Sequence, residues 1–240
     1  MLKFIGSGSA FNNKLGNNSA YYKEGNQMLL IDCGSNIFQS IKENNLLEGI
    51  EHIHVLITHT HADHVGSLAD LILYTYYSHG EMMKIKTTVY YSEGLEISEL
   101  LTINDAIKQC NLVVIPSYVV TKIESFNQLF VISSHSKHVD DLVSYSYDIF
   151  IDDLAIFYSG DINELKMSDK DFINNLTYDF AYIDTCKADY EGNVHLSLRK
   201  LTELIKPEAR NRVYCMHLDE GFDRNESEEL GFNVVVNELR

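Results

Sequence analysis

The chain of 240 residues has little proline and glycine, and acidic residues greatly outnumber basic ones. Two prolines and 13 glycines leave no stretch that resembles a long flexible linker. The 19 lysines and arginines against 35 aspartates and glutamates give a formal net charge of −16. Proteins that hold long stretches of nucleic acid need clustered basic side chains, so this charge argues against that class.

Cysteines and long apolar runs are also scarce. The four cysteines form no C-x-x-C pair and are Cys33, Cys110, Cys186 and Cys215. Each lies in or beside an apolar run, which favours buried, reduced thiols and a cytoplasmic location. No segment approaches the roughly 18 apolar residues of a membrane span, and the opening Met-Leu-Lys-Phe-Ile at residues 1–5 is too short for a signal peptide. We therefore expect a cytoplasmic protein that does not bind a membrane.

Short strands and helices alternate along the chain. Apolar runs predict strands at residues 27–31, 52–57, 154–158, 180–184 and 213–216, among others. Helices are expected at residues 35–43, with Ser35 as the N-cap, and at about residues 65–76. No boundary interrupts this alternation, so the sequence predicts an α/β fold with a mixed sheet in one domain covering residues 1–240.

A dense group of histidines follows the predicted strand at residues 52–57. His59, His61 and His64 lie with Asp63 in the segment Thr-His-Thr-His-Ala-Asp-His. Imidazole nitrogens and carboxylate oxygens are ligands that suit Zn²⁺ and similar ions. Side chains two residues apart in an extended segment point the same way, so His59 and His61 can reach one metal. If a helix follows, Asp63 and His64 can face a second metal.

Further ligands are expected at other strand ends, because four side chains cannot surround two metals. The candidates are His135 and His138 after one strand, Asp161 after another, and His217 after a third. Taken alone, His217 could be an ordinary buried imidazole and Asp161 a helix cap. Their shared position at strand ends favours metal binding.

These residues together resemble the metallo-β-lactamase superfamily. The resemblance rests on H-x-H-x-D-H after a strand, Leu-Ile-Asp-Cys-Gly at residues 30–34, Tyr-Ser-Gly-Asp at residues 158–161, and the late His217. Gly-Ser-Gly-Ser-Ala at residues 6–10 and the spacing from His195 to His217 resemble its phosphodiesterase branch. That branch includes ribonuclease Z, cyclic phosphoribose phosphodiesterases and phage anti-Pycsar nucleases.

The resemblance implies an αββα sandwich with two divalent metal ions, Zn²⁺ as first choice and Mn²⁺ as the alternative. The implied ligands of one metal are His59, His61 and His138. The implied ligands of the other are Asp63, His64 and His217, with Asp161 bridging both and Asp32 supporting the set from outside. His138 is preferred to His135 because it stands six residues before Ser144-Tyr145, as the family pattern requires. His135 remains the alternative.

Two residues are implied to take part in catalysis. Asp63 would orient the attacking water and accept its proton. His195 precedes a predicted helix in Gly-Asn-Val-His-Leu-Ser, and on its own it would be interpreted as a capping or packing residue. The resemblance implies instead a histidine that binds no metal and assists the leaving group or the phosphate.

The substrate is expected to be a small phosphodiester. His138 and Asp161 are 23 residues apart, which is room for one hairpin but not for the arm with which ribonuclease Z holds tRNA. A 3′,5′-cyclic nucleotide is the first choice, and a ribose 1,2-cyclic phosphate or a tRNA 3′ end is the alternative. A thioester hydrolase of the same superfamily and a non-catalytic nucleotide-binding module are further alternatives.

An aromatic segment follows the histidine group. Tyr74, Tyr76 and Tyr77 could stack on a base, or they could belong to the core or to a subunit interface. Since related enzymes are commonly homodimers, the resemblance also implies a homodimer.

Overall fold

Two β-sheets pack against each other in the computed structural model, which describes residues 1–79 and 86–239. In strand order, the first sheet consists of β1 (Lys3–Gly6), β2 (Ser19–Glu24), β3 (Gln27–Ile31), β4 (His52–Ile57), β5 (Lys86–Ser92) and β6 (Asn111–Ile115). In strand order, the second consists of β13 (Asn233–Val234), β12 (Val213–Met216), β11 (Phe180–Asp184), β10 (Leu154–Tyr158), β9 (Ser144–Ile151), β8 (Leu129–Ser136) and β7 (Thr121–Lys122).

Helices cover the outer faces of both sheets. The α-helices among the described residues are α1 (Ile37–Glu43), α2 (Ala62–Val65), α3 (Leu68–Tyr77), α4 (Ile97–Ile103), α5 (Met167–Asn174), α6 (Leu198–Leu204) and α7 (Arg224–Glu229). Two short 3-10 helices lie at Ile107–Gln109 and Pro207–Arg212. The layers follow the order helix, sheet, sheet, helix, as expected for an αββα sandwich.

Alternation of side chains along each strand builds the two cores. Successive strand residues point to opposite faces of a sheet. On β10, Ile156 and Tyr158 enter the large core between the sheets, whereas Phe157 enters a second core beneath α5 and α6. On β11, Tyr182 likewise enters the large core and Ile183 enters the second core. Both faces of the second sheet are therefore buried, which specifies the register in which its strands pair.

The strands that carry polar residues at their ends are parallel to a neighbour. β3, β4, β5 and β6 run parallel in one sheet, and β10, β11, β12 and β13 run parallel in the other. The carboxyl ends of parallel strands meet at one edge of a sheet. The segments that follow β3, β4, β10, β11 and β12 are therefore brought to a common edge.

Two helix predictions were wrong in detail. α1 begins at Ile37, and Ser35 does not cap it, because its Oγ donates a hydrogen bond to the carbonyl of Ala62 at 3.0 Å. The helix predicted at residues 65–76 is divided into α2 and α3. The break follows from tertiary contacts, since the hydroxyl of Ser67 donates to the carbonyl of Gly34 at 2.6 Å.

The burial of the cysteines largely agrees with the sequence prediction. Cys33, Cys186 and Cys215 are buried and Cys110 is half-buried, and none of the four, all in described segments, forms a disulfide. Burial raises the pKa of Cys33 to about 12, so this thiol stays protonated at neutral pH. Among residues 1–79 and 86–239, no helix has the length and apolar content needed to cross a membrane.

Candidate metal centre

The strand ends carry the side chains of the candidate site. His59, His61, Asp63 and His64 follow β4, Asp161 follows β10, and His217 follows β12. The turn before Asp161 depends on Gly160, which has a φ of +59°, a value that L residues rarely adopt. A Cβ at this position would also lie only 2.7 Å from the carbonyl oxygen of Tyr145.

Two residues at the site have the same left-handed backbone without being glycine. Asp32 has a φ of 61° and His217 a φ of 57°. Such conformations cost free energy and persist only where surrounding contacts enforce them. Here they turn a carboxylate and an imidazole from the strand ends into the site.

A first group of donor atoms comes from three histidines and one aspartate. His61 Nδ1 lies 3.1 Å from His59 Nε2 and 3.3 Å from His138 Nε2. Asp161 Oδ2 is 3.7 Å from His59 Nε2 and 3.8 Å from His138 Nε2. All four donor atoms lie within 4.8 Å of one another, so one ion can contact them together.

A second group shares Asp161 with the first. His64 Nε2 lies 3.3 Å from Asp161 Oδ1 and 3.4 Å from Asp63 Oδ2. His217 Nε2 lies 3.2 Å from Asp63 Oδ2 and 3.4 Å from Asp161 Oδ2. Asp161 therefore stands between the two donor groups and presents one carboxylate to both.

The donor set fits divalent metal ions. Within the described residues, His64 Nε2 and Asp161 Oδ1 are buried and have no hydrogen-bond partner. Buried polar atoms are nearly always paired, so orphaned atoms that face each other indicate a missing partner. A mixed set of imidazole nitrogens and carboxylate oxygens is suited to Zn²⁺ and Mn²⁺. The second group alone supplies two carboxylates, which balances the charge of a dication.

Asp32 holds the segment after β4 in place. Its carboxylate accepts hydrogen bonds from the amide and the hydroxyl of Thr58, each at 2.8 Å, and from His64 Nδ1, also at 2.8 Å. The contact with Nδ1 fixes the ring so that Nε2 faces Asp161. An outer carboxylate of this kind fixes the tautomer and raises the basicity of a ligating imidazole.

His138, rather than His135, lies in the first donor group. His138 is buried, and its Nδ1 donates to the carbonyl of Val194 at 2.9 Å, which directs Nε2 to the site. His135 is exposed within β8 and packs on the ring of Tyr145, with ring centroids 4.6 Å apart. β8 extends to Ser136, so His135 lies within the strand and does not follow it as the sequence predicted.

Charge interactions dominate the titration of the site. Burial alone would raise the pKa of Asp161, but His217, His64 and His59 hold it well below its usual range. Burial likewise opposes the ionisation of Asp63, and His217 and His64 again lower its pKa. Both carboxyl groups are therefore ionised at neutral pH, which makes the centre attractive to cations.

His195 is placed beside the donor groups by Asp184. Its Nδ1 lies 2.7 Å from Asp184 Oδ2 and 4.0 Å from Asp161 Oδ2. Burial lowers the pKa of His195, but the neighbouring Asp184 outweighs that effect and raises it. Because Asp184 occupies Nδ1, Nε2 is the ring nitrogen left for a ligand. Asp184 also faces His217 Nδ1 at 3.4 Å, so one carboxylate orients two imidazoles.

A cavity of about 510 Å³ opens at the centre. Its lining includes His61, Asp63, His138, Asp161 and His195, together with Ala10, Phe11, Asn13, Asn17, Ser35, Asn36, Ala62 and Val194. The three tyrosines of the aromatic segment are not among these residues. Tyr74 packs on Phe38 with ring centroids 5.3 Å apart, and Tyr76 packs on Tyr77 at 4.8 Å. Of the alternatives stated for these tyrosines, the contacts within this chain favour packing over stacking on a base.

Sequence reasoning missed Asp184 and the residues near Phe11. Asp184 ends the apolar strand Phe-Ala-Tyr-Ile-Asp, which is the same signal that singled out Asp161, and it could have been found in that way. Phe11, Asn17 and Asn36 had no comparable signal, because only the fold brings their loops to the cavity.

Known proteins resemble this chain over nearly its whole length. The family model described as anti-Pycsar protein Apyc1 matches residues 1–239. The anti-Pycsar protein Apyc1 of Bacillus phage BSP38 is 31% identical over 242 residues, which cover 92% of this chain and 90% of the relative. The protein of that name from Paenibacillus harenae is 28% identical over 251 residues, covering 100% of this chain and 98% of the relative.

Solved structures resemble the fold. The metallo-β-lactamase fold protein YhfI from Bacillus subtilis superposes with a TM-score of 0.75 at 15% identity, covering 98% of this chain and 94% of that protein. The αββα sandwich predicted from the sequence is thereby confirmed as a metallo-β-lactamase fold. With the family match over residues 1–239, the chain belongs to the anti-Pycsar protein Apyc1 family.

Proposed function

We propose that this chain is a metal-dependent phosphodiesterase that hydrolyses 3′,5′-cyclic nucleotides. The observation that carries the proposal is the pair of donor groups joined at Asp161 and open to one cavity. Two metal ions held about 3.5–4 Å apart are a common arrangement for cleaving phosphoric esters. Membership of a family of anti-Pycsar proteins supports a nucleotide substrate.

The charge of the cavity favours a substrate with a single phosphodiester. No lysine or arginine is among the described residues that line it. The positive charge that attracts phosphate must therefore come from bound metal ions and from His195. A local positive field at the metals also reconciles an anionic substrate with a chain of net charge −16.

The segment between His138 and Asp161 argues against a tRNA substrate. β9 and β10 form an antiparallel hairpin that takes up most of this segment. Residues 139–160, all of them described, leave no room for a protruding arm. No observation favours the thioester hydrolase.

Residues of the chain have distinct parts in the proposed reaction. Bound divalent ions would polarise the phosphoryl oxygens and lower the pKa of water. Asp63 would orient that water and accept its proton. His195 in its protonated form would donate the Nε2 proton to the departing ribose oxygen as the P–O bond breaks. Asp184 would hold the ring for that transfer.

Several finer features belong to the same proposal. The ligands would be His59, His61 and His138 for one ion, Asp63, His64 and His217 for the other, and Asp161 for both. We propose two ions of Zn²⁺, with Mn²⁺ as the alternative, in one domain covering residues 1–240. We also propose a homodimer that acts in the cytoplasm, the host's if the gene is carried by a phage. Sedimentation and elemental analysis test the dimer and the ions.

Product analysis tests the proposed function. The metal-loaded protein is incubated separately with 3′,5′-cyclic nucleotides, a ribose 1,2-cyclic phosphate, a tRNA precursor and a thioester. We expect linear nucleotides from the first group and no cleavage of the last two substrates. His135→Ala is the matched control for His138→Ala, and only the second should lose activity. Cleavage of the tRNA precursor in preference to cyclic nucleotides would overturn the proposal.

A further inference from the structure

An aromatic side chain stands exposed at the mouth of the cavity. Phe11 is 86% exposed, and it lines the same cavity as His61 and Asp161. It provides the only phenyl or phenol ring among the described lining residues. Isolated exposed apolar side chains are common on protein surfaces, but Phe11 lies on the wall of the cavity that holds the donor groups, where a bound ligand would cover it.

Hydrogen bonds hold the loop that carries Phe11. The amides of Ser7 and Gly8 donate to the carbonyls of Leu15 and Gly16 at 3.2 and 2.8 Å. The side-chain amide of Asn12 donates to the carbonyl of Leu218 at 3.0 Å. Since Leu218 follows His217 directly, these contacts fix the loop relative to the second donor group.

We propose that Phe11 stacks on the base of the bound nucleotide, an inference that rests on the proposed function. The phosphodiester would lie at the donor groups and the base would extend toward the cavity mouth. Ala10, Ala62 and Val194 add apolar wall to the cavity, which suits the flat face of a base. Every base has such a face, and stacking on an aromatic side chain is favourable.

Kinetics of Phe11 variants test this assignment. The substrates are cyclic nucleotides and 1-O-methylribose 3,5-cyclic phosphate, which keeps the sugar and the phosphodiester but has no base. Phe11→Ala should raise KM for cyclic nucleotides roughly 5- to 150-fold, the loss of one stacked base, and leave kcat nearly unchanged. Phe11→Trp should restore a low KM. Hydrolysis of the base-free substrate should be the same in all variants.

A control variant and a binding measurement complete the test. Ile103→Ala removes an exposed side chain of similar accessibility, 84%, at the end of α4, and it should match the wild type. Stacking should also quench the fluorescence of a 2-aminopurine nucleotide bound to the metal-loaded wild type, but not to Phe11→Leu. This readout needs no turnover.

The outcomes separate the two proposals. An unchanged KM in Phe11→Ala, or an equal loss with the base-free substrate, would overturn the role of Phe11 alone. Cleavage of the base-free substrate without cleavage of any cyclic nucleotide would overturn the proposed function. In that case the quenching measurement still decides whether Phe11 contacts a base.

Discussion

At the scale of residues, contacts outside the centre determine which ring nitrogen of each donor-group histidine faces a metal ion. Each buried histidine of the donor groups uses one ring nitrogen toward the centre, and the other nitrogen has a neighbour outside it. Asp32 contacts His64 Nδ1, and the carbonyl of Val194 accepts from His138 Nδ1. These outer contacts fix which nitrogen faces the metal. Loss of a donor atom should therefore reduce metal binding and activity together, whereas loss of a neighbouring group that binds no metal should reduce activity alone.

Removing the shared carboxylate should abolish both metal binding and activity. Asp161→Ala deletes an oxygen donor from each donor group and leaves buried histidines without a counter-charge. We expect no measurable hydrolysis and clearly less bound metal by elemental analysis. Retention of full activity in this variant would refute the site assignment.

His195→Ala should separate catalysis from metal binding. The variant removes a proton donor but no proposed ligand, so kcat should fall roughly 10²- to 10⁴-fold. Bound metal should stay at the wild-type amount. Elemental analysis alongside the kinetics checks this, and a loss of metal would make His195 a ligand.

The dense motif at residues 59–64 could be predicted from the sequence, because three histidines within six residues are improbable by chance. Asp184 carries the same signal as Asp161, an aspartate that ends an apolar strand, but it lies in none of the motifs that carry the family resemblance. Phe11 could not be found at all. Its function depends on a loop that hydrogen bonds to Leu218, more than 200 positions away along the chain.

At the scale of elements, the parallel strands bring the site together and the backbone around it is crowded. The ends of β3, β10, β11 and β12 were predicted well, because short apolar runs stopped at polar residues. The division between α2 and α3 was missed, because it depends on a hydrogen bond from Ser67 to a distant carbonyl. α7 and β13 were missed as well, since the sequence Arg-Asn-Glu-Ser-Glu-Glu of α7 has no apolar face.

Gly34 should be intolerant of any side chain. A Cβ there would lie 1.9 Å from the carbonyl oxygen of Asp63, so Gly34→Ala must displace the ligand segment. Overpacking typically costs about 1–3 kcal/mol, which lowers Tm by roughly 2–12 °C in a protein of this size. Calorimetry should detect this shift together with weaker metal binding. Gly221→Ala is the control, since its Cβ would meet only Lys187, at 3.7 Å.

His54 of β4 should make the fold less stable in acid. Burial, with a smaller contribution from His52, lowers its pKa to about 3, whereas the unfolded value is about 6.5. The unfolded chain thus binds the proton more tightly, and the free energy of unfolding falls as the pH drops from about 6.5 toward 3. By pH 5 the loss from this group is about 2 kcal/mol.

Denaturant unfolding at pH 7 and pH 5 checks the role of His54. The stability difference between the two pH values should shrink in His54→Gln. It should be unchanged in His135→Gln, which alters an exposed histidine. An identical pH dependence in wild type and His54→Gln would contradict the assignment.

At the scale of the whole molecule, two sheets and their outer helices support one reactive edge. Residues from positions 32 to 217 meet there, because the strands that precede them end at the same edge. The acidic surface and the absence of basic side chains among the described cavity residues leave bound cations as the main source of attraction for phosphate. The proposed activity therefore depends on bound metal more than on any other feature.

Metal titration of chelator-treated protein tests that dependence most directly. Zn²⁺ or Mn²⁺ is added stepwise while hydrolysis of a 3′,5′-cyclic nucleotide is measured. We predict no activity without metal, and a rise in activity that levels off at two equivalents of metal per chain. Full activity in the metal-free protein, or none with two ions bound, would contradict this prediction.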